Sequence, residues 1–83
     1  MIDMLSQHTI RELNFRMDKA ERNYGPVKNQ AECIGALKLE VWEVMDAMHE
    51  RADWKIEAEL YDVANVAIRF AQKLRAEVEA RHG

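Results

Sequence analysis

Apolar residues recur along this chain at helical rather than strand spacing, and only one proline and three glycines interrupt them. The first segment, about 3–23, carries Ile10, Leu13, Phe15 and Met17 among many charges and predicts a helix. Tyr24-Gly25-Pro26 is the strongest break, because glycine tolerates positive φ and proline disfavours helix in the residue before it. Asn29, followed three residues later by Glu32, resembles a capping box and opens a second helix over about 30–51. Ala52-Asp53 reads as a short turn with Asp53 as N-cap, and a third helix follows over about 54–80.

At 100° per residue, Cys33, Ile34, Leu37, Val41, Val44, Met45 and Met48 share the apolar face of the second helix. Ile56, Leu60, Val63, Ala64, Ala67, Phe70, Ala71, Leu74 and Val78 share that of the third. Cys33 and the methionines read as core filler, and Trp42 and Trp54 as packing residues. The pattern predicts an all-α domain spanning 1–83. It is a three-helix chain with a long antiparallel hairpin, completed into a four-helix-type bundle by oligomerisation.

Size sharpens the need for a partner. A chain of 83 residues buries only about 60% of its unfolded surface. A homodimer is therefore expected, with pairing of two dimers as a further step. A lone cysteine, Cys33, leaves no internal disulfide. The net charge of −3 argues against a nucleic-acid partner. The first residues lack a basic start and an apolar run, and no stretch nears the ~20 apolar residues of a membrane span. The expected location is the cytoplasm, away from membranes.

The candidate chemistry lies in two acidic doublets. Glu40 and Glu43 are three residues apart on the second helix, and Glu59 and Asp62 on the third. Such spacing puts each pair on one helix face, at the border of the apolar stripe. Counted from the 52–53 turn, Glu43 and Asp62 reach similar heights, with Glu40 and Glu59 one turn to either side. Four converging carboxylates repel one another unless a cation lies between them. An oxygen-only donor set suits Mg²⁺, with Mn²⁺ as the alternative.

At these residues the sequence resembles the MazG-like nucleotide pyrophosphohydrolases of the all-α NTP pyrophosphatase superfamily. That family carries E-E-x-x-E on one helix and E-x-x-D on the next. Here the motifs read Leu39-Glu40-Val41-Trp42-Glu43 and Glu59-Leu60-Tyr61-Asp62, so Leu39 stands in place of the first Glu. The resemblance covers about residues 24–75. It implies a helical bundle completed by dimerisation and Mg²⁺-dependent cleavage of a nucleoside triphosphate to monophosphate and pyrophosphate. It also implies that Glu40, Glu43, Glu59 and Asp62 are the metal ligands.

Within that reading Glu43 is the candidate general base. Arg69, Lys73 and Lys55 are candidate phosphate clamps, and Asn65 is a candidate hydrogen-bonding partner for sugar or phosphate. Tyr24 is placed to stack on a base, with Phe15 and Trp42 as alternatives. Two other readings compete: a phosphoribosyl-ATP pyrophosphatase on the same scaffold, and a non-catalytic dimerisation or adaptor module whose acids only solvate the bundle.

Overall fold

A computed structural model describes residues 4–82 and is helical throughout, with no strand among the described residues. Helix α1 spans Gln7–Tyr24, α2 spans Gln30–Glu50 and α3 spans Asp53–His82. The three predicted helices are present, and their ends are set by local chemistry. The Ser6 side chain accepts from the Thr9 backbone N–H at 3.1 Å, so α1 starts at Gln7, later than the expected residue 3, which itself lies outside the described residues. Gly25 closes α1 at φ 73°. Its N–H donates to the Glu21 carbonyl at 3.0 Å. Asn29 caps α2 as expected, accepting from the Glu32 N–H at 2.8 Å.

The hairpin turn differs from expectation. Arg51 ends α2 in the left-handed region, at φ 57° and ψ 34°. The Ala52 carbonyl accepts from the N–H groups of Lys55 and Ile56, so Asp53 is the first residue of α3 and not its N-cap. The reversal is thus centred about one residue earlier than the sequence suggested.

Helix α3 is the spine. Its 30 residues make a rod of about 45 Å, matching the 47 Å long dimension of the molecule. Both α1 and α2 pack along it, and among the described residues they do not pack on each other. The result is an open layer, α1–α3–α2, with a groove between the outer helices. Its radius of gyration is 14.1 Å, against about 12 Å for a closed domain of this length.

The core is correspondingly thin. Among the described residues Ala20, Cys33, Val44 and Ala47 are its buried apolar residues, and no large side chain is wholly enclosed. On α2 the buried stripe runs through Cys33, Val44 and Ala47, with Ala36, Leu37, Glu40 and Glu43 half-buried beside them. Small residues at the contact let α2 approach α3 closely. Ile34, Val41, Met45 and Met48, expected in the core, are exposed, as are Leu60 and Leu74 of α3. Trp42 and Trp54 are 65% and 72% exposed, so neither packs within the chain. On α2 the difference has one physical cause: the helix is rotated so that its acid-bearing edge, not its most apolar edge, faces α3. No helix among the described residues is long and apolar enough to cross a membrane.

Candidate metal centre

Helical spacing and the early turn together build the site. Glu43 lies against both Glu40 and Glu59, and Asp62 is close enough for its charge to act on both of those groups. Glu40, Glu43 and Glu59 each offer a carboxylate oxygen within 4.8 Å of the other two. One oxygen of Glu40 and one of Glu59, both Oε2, are buried without a hydrogen-bond partner. Orphaned buried acceptors of this kind are costly.

The cost appears in the protonation equilibria. Burial comes first, followed by the charges of Glu43 and Asp62, a hydrogen bond with Glu43 and the charge of Glu59; together they push the Glu40 carboxyl up to about 7. Glu59 is raised by burial, then by its hydrogen bond with Glu43 and the charges of Glu43 and Asp62, against the pull of Arg16. Glu43 therefore sits between the two perturbed groups. Carboxylate oxygens alone, two of them buried and unpartnered, are a donor set that fits a hard divalent cation.

Asp62 lies beside this trio but is held by a residue the sequence reading did not include. Arg16 of α1 donates from Nε to Asp62 Oδ1 at 2.9 Å. It also pairs with Glu12 one turn back on its own helix, and its guanidinium carbon lies 5.4 Å from the centre of the Tyr61 ring. Glu12 and Arg16 at i,i+4 were visible in the sequence as a helix pair. Nothing in that spacing announces a partner on α3.

Two cavities meet at the carboxylates. One, of about 290 Å³, is walled by Phe15, Arg16, Lys19 and Tyr24 of α1 and by Glu40, Asp62 and Asn65. The other, of about 320 Å³, is more apolar and is walled by Val27, Cys33, Leu39, Val66 and Arg69, again with Tyr24, Glu40 and Asn65. Asn65 is shared by both. It is 7% exposed, and its Oδ1 has no partner. Tyr24, at the rim of both, is exposed.

The remaining candidate cations have other partners. Arg69 donates to Glu21 Oε1 at 3.0 Å and to the Gly25 carbonyl at 2.6 Å, fastening the end of α1 to α3. It borders the second cavity from this clamped position. Lys73 pairs with Glu77 along α3 and lines neither cavity. Lys55 donates to Glu50 at 2.6 Å and borders a small recess on the hairpin side of Glu43 and Glu59. The structure therefore gathers Glu40, Asp62, Asn65 and Tyr24 around one groove, places Glu43 and Glu59 on the adjoining recess with Lys55, and leaves Lys73 outside both. Arg16 and Lys19 line the groove together with Glu40 and Asp62.

No protein-family model, curated protein or solved structure matches this chain. The functional reading rests on the chain's own residues.

Proposed function

We propose that the protein is a Mg²⁺-dependent nucleoside triphosphate pyrophosphohydrolase of MazG-like type. It would cleave a (d)NTP with water to (d)NMP and pyrophosphate. The observation that carries this reading is the convergence of Glu40, Glu43 and Glu59, with two buried and unpartnered oxygens, beside a cavity that Glu40 shares with Arg16 and Lys19. A lone acidic cluster is common on helical surfaces. One that is half-buried and adjoins Arg16, Lys19 and a buried amide has the features of a binding site for a polyanion and its counter-ion.

Glu40, Glu43, Glu59 and, after rearrangement, Asp62 would hold the cation. When bound, the metal supplies neutralisation of phosphate charge and a more acidic coordinated water. The chain supplies the rest. Glu43, which lies between Glu40 and Glu59, is placed to accept the proton of the attacking water. The more apolar cavity beside Val27, Leu39 and Val66 flanks the groove and offers room for a base or sugar. Asn65 lines both cavities, and a turn of its amide would present a polar group to that occupant.

The exposed apolar residues of α2 and α3 support a homodimer. Ile34, Val41, Met45, Met48, Leu60 and Leu74 together need cover, and Trp42 is of the residue type enriched at interfaces. The same residues favour the second reading, a helical assembly module without catalysis. Pyrophosphate release measured across NTPs and dNTPs with Mg²⁺ and Mn²⁺ separates the two. Turnover that disappears in Glu43→Ala supports the enzyme. No turnover with any nucleotide, and no metal-induced rise in melting temperature, leaves the assembly module.

A further inference from the structure

The groove holds a cation that the four-carboxylate scheme does not use. Arg16 is charged at any ordinary pH, and its side chain is 19% exposed. It faces two acids, Glu12 and Asp62, and lies over Tyr61. The Tyr61 hydroxyl is itself hydrogen-bonded to Thr9 Oγ1 at 3.3 Å. The guanidinium is thus held from three sides. Only one of those three, Asp62, belongs to the acids that the motif assigns to a metal. Loss of that partner leaves the other two in place, and the charge balance with Glu12 becomes one to one.

We propose that Arg16 is a latch and a phosphate ligand: without substrate it holds Asp62 away from Glu40, Glu43 and Glu59, and in the complex it exchanges Asp62 for a phosphate oxygen of a nucleoside triphosphate. This inference rests on the reading of the groove as a metal–nucleotide site. Its support is geometric. Arg16 and Lys19 of α1 line the cavity together with Glu40 of α2 and Asp62 of α3, and Arg16 meets Asp62 there at 2.9 Å. A metal–triphosphate carries both charges: its cation suits the acids, and its outer oxygens suit the basic side chains. A guanidinium presents five N–H donors in a fixed fork, so Arg16 can keep Glu12 and take a phosphate oxygen together. Asn65, buried in the same cavity with an unpartnered Oδ1, independently marks the groove as built for an occupant.

The latch makes metal and nucleotide mutually dependent. A divalent ion alone must compete with Arg16 for Asp62. A nucleotide arriving with the ion gives Arg16 a replacement partner, so each ligand strengthens the other. The protein would then bind free metal weakly and commit its fourth acid only when phosphate is present.

Titration calorimetry with Mn²⁺ alone, and with Mn²⁺ plus a non-hydrolysable dNTP analogue, tests this on the wild-type chain and Arg16→Gln. Arg16→Gln is expected to bind Mn²⁺ alone about tenfold more tightly and the Mn²⁺–analogue about tenfold more weakly. A role confined to packing would weaken both. Equal or weaker Mn²⁺ binding by a folded Arg16→Gln, beside a wild type that binds Mn²⁺, overturns the latch alone. Failure of both folded proteins to bind Mn²⁺ overturns the latch and the metal-site reading together. Should circular dichroism show Arg16→Gln unfolded, Arg16→Lys replaces it. Lysine keeps the charge and loses the fork, and the same opposite shifts are expected at smaller size; wild-type affinities for both ligands would overturn the proposal.

Discussion

The two edges of α2 differ in the reverse of the usual sense. The edge turned toward α3 carries Glu40 and Glu43 among Cys33, Ala36, Val44 and Ala47. The edge turned away carries Ile34, Val41, Met45 and Met48 in the open. For an isolated helix on a spine this is unfavourable twice over. Carboxylates lose hydration, and each large apolar side chain, about half exposed, forgoes roughly half of the ~1.5–3 kcal/mol that full burial brings. The inner edge makes sense if the acids have a ligand, and the outer edge makes sense if the apolar residues have a partner. Under the proposed function each edge is one face of a complex, and the two can be tested separately.

The largest expected effect is on the inner edge. Glu43→Ala should lower the rate of pyrophosphate release by about 10²–10⁴-fold while leaving the helical circular dichroism spectrum unchanged. A mutant with wild-type turnover would remove Glu43 from the chemistry. On the outer edge, the pair Val41→Asp and Met45→Glu should weaken self-association by about 2 kcal/mol or more, read by sedimentation equilibrium. Unaltered association would move the interface elsewhere.

The pH dependence sharpens the inner edge further. The Glu40 carboxyl, raised from 4.5 to about 7, binds its proton more tightly in the folded state than in the unfolded one. Its contribution to stability is therefore full below pH 4.5 and is lost as pH rises through about 7. The metal-free melting temperature should fall across that window, and saturating Mg²⁺ should flatten the fall. Glu40→Gln should stabilise the metal-free protein at pH 8 by roughly 1–2 kcal/mol while weakening metal binding, measured by thermal denaturation and calorimetry. A Glu40→Gln variant less stable than wild type at that pH would show that the repulsion is not felt.

The smallest effect is a control in the turn joining the two helices. Arg51 occupies the left-handed region, where glycine carries no steric penalty. Arg51→Gly should raise stability by about 0.5–1 kcal/mol in denaturant melts without altering metal binding or association.

Much of this molecule was legible in the sequence. Gly25-Pro26 and Asn29 marked the first break, and the acidic doublets marked the candidate site by their spacing alone. The turn was harder. Placing the reversal at 52–53 instead of Arg51–Ala52 shifts the centre by one residue and so every facing pair by two. Arg51 gave no warning, because an arginine in left-handed backbone has no sequence signature. Arg16 was passed over for a different reason. Its pairing with Glu12 is a local, four-residue relation, whereas its bond to Asp62 joins residues 46 apart.

Periodicity, caps and breaks act within a few residues, so the chain alone determined that there are three helices, about where they end, and which acids share a face. The rotation of α2 about its own axis, the separation of α1 from α2 and the meeting of Arg16 with Asp62 depend on how whole helices settle against one another. That settling is decided by the summed shape and charge of distant surfaces. Small residues let one edge approach closely while bulkier ones are left outside, and no local pattern encodes the balance.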